Sequence, residues 1–180
     1  MLLCKPRSQI RRRSLDLVLA RTVGGFSDHR FGDTLNAEIL FHDEMVVVAG
    51  MQTRWARRRK IDIGELANER WILTRSDTWN YSVVEEAFRE RGLETPNASM
   101  RTLSVHVRSN LLATGNYITV PPRSVMDLYG HRFSLKVLRI ELPIRPWPVA
   151  IVTLKNRTLS PLVARFIECA REIAKPLAKR

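Results

Sequence analysis

Three places along the chain put arginine or hydroxyl side chains directly behind a segment of strand type. Arg21 and Thr22 follow Leu15–Ala20. Thr74, Arg75, Ser76 and Thr78 follow Trp71–Leu73, and Thr102 and Ser104 follow the short run Ala98–Arg101. Each group sits where a buried strand would end, and the last two sit where a helix would begin. A helix start presents free backbone N–H groups and the positive end of the helix dipole, both of which favour an anion. An arginine beside it can grip a carboxylate with two parallel hydrogen bonds. The same serines and threonines also cap helices, so each residue alone has a purely structural reading. Three such groups in one small chain point to anion binding.

Catalytic and metal chemistry have little to stand on. The sequence has no GxSxG, GxxxxGK[ST], HExxH or GxGxxG. His29, His42, His106 and His131 are scattered, without the tight spacing of metal ligands. Cys4 and Cys169 cannot build a disulfide framework, which suits a reduced, cytoplasmic setting. Cys169 falls on or beside the apolar stripe of the last helix, where a small buried hydrophobe is expected. No enzyme, metal or cofactor is expected. No apolar run approaches the ~20 residues that span a bilayer, and the first residues lack a secretion signal.

The elements that must position these groups follow from periodicity. Leu15–Ala20, Leu35–Phe41 and Met45–Ala49 are apolar runs of strand type, the last two separated by a turn at His42, Asp43 and Glu44. Ile61–Ala67 is a short helix and Trp71–Leu73 a strand. Trp79–Arg91 is amphipathic, with Val83, Val84, Ala87 and Phe88 at helical spacing and Gly92 as its stop. Ala98–Arg101 is a strand, and Thr102 to Ser104 cap a helix that runs to Ala113 and ends at Gly115. Tyr117–Val120, Val137–Leu142 and Val149–Leu154 complete the strands. Ser160 and Pro161 open a terminal helix whose stripe is Leu162, Val163, Phe166, Ile167, Ala170, Ile173 and Ala174. In that stripe Phe166 is expected to anchor the helix on Val149–Leu154. Alternation of strand and helix implies an α/β fold, with mainly parallel sheets and strands buried on both faces. Crossings near His42–Met45 and Pro143–Pro148 would bracket an inserted lobe, residues 45–145, between the two parts of a first lobe, residues 1–44 and 146–180. Ligands in such folds sit at the carboxyl ends of strands, in the cleft between lobes.

Several segments in this order resemble one family. They are Leu15–Arg21, Glu44–Gly50, Leu66–Leu73, Leu111–Gly115 and Val152–Pro176, and together they are similar to the effector-binding domain of LysR-type transcriptional regulators. The resemblance implies two Rossmann-like lobes of the type II periplasmic-binding-protein kind, hinged by two crossovers, with a cleft for a small and often carboxylated inducer. It assigns Arg21 an inducer-facing position and maps the family's Thr/Ser-bearing turn to Thr102–Ser104. Arg21 and the Thr74–Thr78 turn would then hold an anionic group from opposite sides of that cleft. The family's intact members carry a helix-turn-helix and form dimers, partly through a helix equivalent to Trp79–Arg91. Measured against the family, the first lobe is expected to be incomplete and the chain to be a truncated regulator, with an uncovered apolar face. DNA would be contacted only through the missing helix-turn-helix, and no membrane partner is implied.

The 180 residues carry 30 Lys and Arg against 18 Asp and Glu, a formal charge of +12. The excess favours anionic partners. Its densest run is Arg54–Lys60, with a second at Arg11–Arg13. Charge runs are ordinarily solvated faces. Two other functions therefore stand beside the regulatory one: a stand-alone solute-binding protein, and a basic module binding nucleic acid without sequence preference.

Overall fold

The computed structural model describes residues 15–21 and 34–179, in two compact units. Unit 1 takes the chain up to Asp43 and from Pro146 onward, and unit 2 is Glu44–Arg145.

Among the described residues, unit 1 has three strands, β1 (Leu17–Arg21), β2 (Leu35–Asp43) and β8 (Trp147–Leu154), in the order β1-β8-β2. Both pairings are antiparallel: Leu17 faces Thr153 and Arg21 faces Val149, while Leu35 faces Leu154 across the other side of β8. A bulge between Ile39 and Phe41 lets β2 run on through His42 and Asp43, residues expected in a turn. Successive residues of β8 point to opposite faces. Ile151 packs with Val163 and Ile167 of the terminal helix α4 (Pro161–Ala178), and Val152 packs with Leu35. Ser160 caps α4 through the Val163 N–H at 3.4 Å, with Pro161 at the first position.

Unit 2 has five strands in the order β5-β4-β6-β3-β7: β3 (Val48–Gly50), β4 (Trp71–Leu73), β5 (Ala98–Arg101), β6 (Ile118–Thr119) and β7 (Leu135–Val137). β4 is parallel to β5 and β6, and β3 runs against β6 and β7. The carboxyl ends of β5, β4, β6 and β7 therefore share one end of the sheet with the amino end of β3. Helix α1 (Trp79–Arg89) follows β4, α2 (Val105–Ala113) follows β5, and α3 (Arg123–Tyr129) follows β6. Each starts from that same end. α1 buries Val83, Val84, Ala87 and Phe88, and Phe88 meets Trp71 edge-on at 5.7 Å between ring centroids. Gly92 (φ +68°) and Gly115 (φ +79°) end the chain segments after α1 and α2 in left-handed backbone that costs glycine nothing. Val46, Val48, Leu112, Met126 and Leu135 form a core under α2 and α3.

Several expectations fail for physical reasons. The sheets are not mainly parallel: the described strands of unit 1 all pair antiparallel, because β8 enters from the far end of the chain and lies between β1 and β2. β1 and β2 are only partly buried, with Leu19 and Ile39 about half exposed, as befits the edge strands of a three-stranded sheet. The strand expected at 137–142 lies earlier, at Leu135–Val137, and Ile61–Ala67 is one turn of 3-10 helix, Ile63–Leu66, capped by Asp62. α3 and the 3-10 turn Arg54–Arg57 were not expected at all. Phe166 is not a core anchor: it is 46% exposed, and Leu162 and Ile173 are exposed further, at 80% and 72%. Only Val163, Ile167 and Ala174 of that stripe are buried. Phe166 instead lines an apolar groove of about 340 Å³ with Leu19, Phe41, Val149 and Ile173. Cys169 lines the same groove and is exposed rather than buried.

Candidate functional site

The carboxyl ends of β4 and β5 bring two of the three expected groups side by side. Thr102 N–H donates to the Leu73 carbonyl at 3.1 Å, and Arg101 Nη1 donates to the Thr74 carbonyl at 3.0 Å. The Arg101 guanidinium also lies 5.4 Å from the centre of the Tyr81 ring, so it ties the β4 turn, the first turn of α1 and β5 together. Arg101 was read from sequence only as a strand residue. Its place at the end of a short strand, next to two hydroxyl-bearing turns, was the available signal.

Proton counting sorts the hydroxyls. Thr78 Oγ1 donates to the Arg75 carbonyl at 2.6 Å, and it lies 2.6 Å from Thr74 Oγ1. A hydroxyl has one proton, so Thr78 accepts from Thr74, and both protons are committed inside the turn. Thr74 is only 4% exposed. The pair braces the turn, and Thr78 does not use its side chain to cap α1 although it stands at the cap position. Ser104 does cap α2: its Oγ accepts from Val107 N–H at 3.3 Å, and Thr102 Oγ1 accepts from Ser104 N–H at 3.1 Å. Accepting leaves the hydroxyl protons of Thr102 and Ser104 unspent. Ser76 is exposed and has no hydrogen-bond partner among the described residues. Ser76, Thr102 and Ser104 can therefore still donate, whereas Thr74 and Thr78 cannot while the turn keeps this arrangement. Arg75 is held by Asp77 through Nε at 3.1 Å and Nη2 at 2.9 Å. Both partners are exposed, and a pair of that kind is worth little, so Arg75 can exchange Asp77 for another anion.

The third group belongs to unit 1. Arg21 ends β1, with its guanidinium 5.7 Å from the centre of the Trp147 ring. Partial burial lowers its pKa from the ordinary value, and the negative charge of Asp43 opposes that shift. Thr22 lies outside the described residues.

The basic run Arg54–Lys60 is partly neutralised within unit 2. Arg54 pairs with Glu69 at 2.7 Å, Arg58 pairs with Glu65, and both guanidinium groups lie over the buried Trp55 ring, at 4.5 and 5.7 Å. Trp55 Nε1 also donates to Glu69 at 3.0 Å. Arg59 and Lys60, with Arg139, border a separate cleft of about 600 Å³ floored by Ile61, Ile63 and Leu138.

Residues 5–175 match the family described as the LysR substrate binding domain. The chain belongs to that family. Among curated proteins, the HTH-type transcriptional regulator TdcA of Escherichia coli K12 is 26% identical over 139 residues, which cover 77% of this chain and 43% of TdcA. The chain thus spans less than half the length of the curated relatives it matches. Among solved structures, the regulatory domain of CcmR from Synechocystis PCC6803, in complex with 2-PG, is similar with a TM-score of 0.70 and 20% identity, over 95% of this chain and 79% of that one. The effector-binding domain of QuiR, in complex with shikimate, is similar with a TM-score of 0.64 and 20% identity, over 96% and 78%. These likenesses establish the two-lobe fold of LysR-type effector-binding domains for this chain. No helix among the described residues is long and apolar enough to cross a membrane.

Proposed function

We propose that this LysR-family domain binds a small carboxylated effector, and that the carboxyl ends of β4 and β5 in unit 2 supply the contacts. The observation that carries the reading is the set of unspent hydroxyl protons on Ser76, Thr102 and Ser104, gathered beside the amino termini of α1 and α2. Hydroxyl donors and helix amides together suit an oxyanion. Arg75 is proposed as a further contact once it leaves Asp77. Thr74 and Thr78 position the turn rather than touch the ligand. Arg21 is proposed from its strand-end position and the family resemblance, with its guanidinium against Trp147, and Thr22 from its place behind the same strand alone. The chemistry is recognition rather than catalysis. The 2-PG and shikimate complexes of CcmR and QuiR are consistent with a small effector. We also propose that the domain serves a transcription regulator that meets DNA through a helix-turn-helix, a reading supported by the name of the curated relative, and, from the family resemblance alone, that this regulator is cytoplasmic and assembles with itself.

The test is a calorimetric or NMR titration with shikimate and a panel of aliphatic and aromatic carboxylates, on wild type and on Ser76→Ala and Thr102→Val. A hydrogen bond to a charged group contributes about 1.5–3 kcal/mol, so each variant should weaken binding about 10- to 100-fold. Saturable binding that both variants leave unchanged would remove this site, and the absence of any saturable carboxylate would remove the function.

A further inference from the structure

α2 carries one residue that its sequence pattern disguises. Val105, Arg108, Ser109 and Leu112 recur at i, i+3, i+4 and i+7, the spacing of a single helix face. Leu112 fixes where that face points, because it packs with Val46, Val48, Met126 and Leu135. Arg108 shares the face and is 7% exposed. Its side chain has no ion pair, hydrogen bond or ring contact among the described residues. Desolvation by burial lowers its pKa from the ordinary value, and no neighbouring acid offsets the shift. Arginine does not escape this position by losing its proton, and its guanidinium nitrogens are not among the polar atoms sealed from solvent without a partner. A largely buried, unpaired cation that still reaches solvent gains where an anion arrives from outside.

The direction of arrival follows from helix geometry. Side chains lean toward the amino terminus of their helix and cover the preceding turn. For Arg108 the preceding turn begins at Ser104, whose hydroxyl is already placed to donate, next to Thr102. The surface cations of unit 2 differ: Arg54, Arg58, Arg91 and Arg123 have carboxylate partners. Arg57, Arg59 and Arg139, which have none among the described residues, are exposed to water, whereas Arg108 is buried.

We infer that Arg108 is the buried cationic contact for the effector, taking a small oxyanion at the amino terminus of α2 beside Thr102 and Ser104. This rests on the effector-binding reading and deepens it: the effector must bring a carboxylate or phosphate group, and Arg108 must be the guanidinium that meets it.

Melting temperatures of the full chain, with acetate or inorganic phosphate replacing chloride at constant ionic strength, test the assignment. Wild type should gain stability saturably with one of the two anions, and the one acting at lower concentration tells carboxylate from phosphate. Arg108→Met should lose that gain, while Arg139→Met, at the rim of the separate cleft, should keep it. If Arg108→Met does not fold, Arg108→Lys decides: it keeps the charge but loses the two-pronged grip, so the half-saturating anion concentration should rise about tenfold. A gain that persists unchanged in Arg108→Met or Arg108→Lys, or that wild type never shows, overturns the inference. Failure of the effector reading looks different: the Arg108-dependent gain remains, but no carboxylate with a hydrocarbon body binds more tightly than acetate.

Discussion

Replacing Phe88 by alanine should be about twice as damaging as the same change at Phe166, although the sequence pattern makes both look like core anchors. Phe88 is fully buried and meets Trp71 edge-on, with an interplanar angle of 82°. A buried aromatic ring removes about 150–250 Å² from water, which at about 25 cal/mol per Å² is worth roughly 4–6 kcal/mol. Measured truncations of buried phenylalanine cost about 3–5 kcal/mol, so about 4 kcal/mol is the expected loss for Phe88→Ala. Phe166 already has 46% of its surface in water, and its truncation should cost about 2–3 kcal/mol by the same area argument. Against a total stability of about 5–15 kcal/mol for a domain, the first change is close to unfolding unit 2 and the second is tolerable. Because Phe88 docks α1 on β4, the first change should also disorder the Thr74–Thr78 turn. Urea titrations at low temperature, followed by far-UV circular dichroism and by hydrogen exchange at Val48 and Leu112, separate the two. Equal losses, or a loss under about 2 kcal/mol for Phe88→Ala, would refute the packing argument, since fully buried rings do not come that cheaply.

Two further outcomes are expected. Gly92→Ala meets nothing within 4 Å, so it should cost only the strain of left-handed backbone, about 1–2 kcal/mol, whereas Gly115→Ala should cost more because its new Cβ would stand 2.8 Å from Gln52 Cγ; urea midpoints of the two variants give the comparison. Glu38 is held by Arg171 through two 2.7 Å hydrogen bonds, which lower its pKa from the ordinary 4.5. A depressed carboxylate contributes stability that is full above the unfolded value and is lost as pH falls through the folded one, so the gap in urea midpoint between wild type and Glu38→Gln should be present at pH 7 and shrink below 4.5; a gap that is constant with pH would deny the ion pair its role.

Punctuation was legible in the sequence because it is local chemistry. Ser104, Ser160 and Pro161 announce helix starts and Gly92 and Gly115 announce stops through forces that act within one turn. The direction of strands was not legible, because nothing local in Trp147–Leu154 says that it will lie between β1 and β2 and run against both. The stripe of α4 failed in another way. Seven apolar residues cover a wider arc than a three-stranded sheet can bury, and periodicity does not say which flank is left out, so Leu162, Phe166 and Ile173 fell on the wrong side of the line. Arg108 drew no reading from the sequence, for the opposite reason. A charge in a helix ordinarily reads as solvent-facing, and only its spacing from Leu112, one turn on, marks it as inward.

The candidate site shows why residue type alone could not rank its members. Thr74, Ser76, Thr78, Thr102 and Ser104 are equivalent as hydroxyls, yet a single proton count divides them. Thr78 gives its proton to the Arg75 carbonyl and thereby obliges Thr74 to give its own to Thr78. The turn gains rigidity and loses two donors. Ser104 and Thr102 do the reverse, accepting from backbone N–H groups and keeping their protons. The charged groups divide on the same principle: Arg75 is occupied by Asp77 and Arg101 by the Thr74 carbonyl, while Arg108 has spent nothing among the described residues. An arriving oxyanion competes with an existing partner at Arg75 and with none at Arg108, Ser104 or Thr102. On the proposed reading, the net gain from binding is therefore greatest at the amino terminus of α2, one strand away from the turn with the greater number of polar side chains.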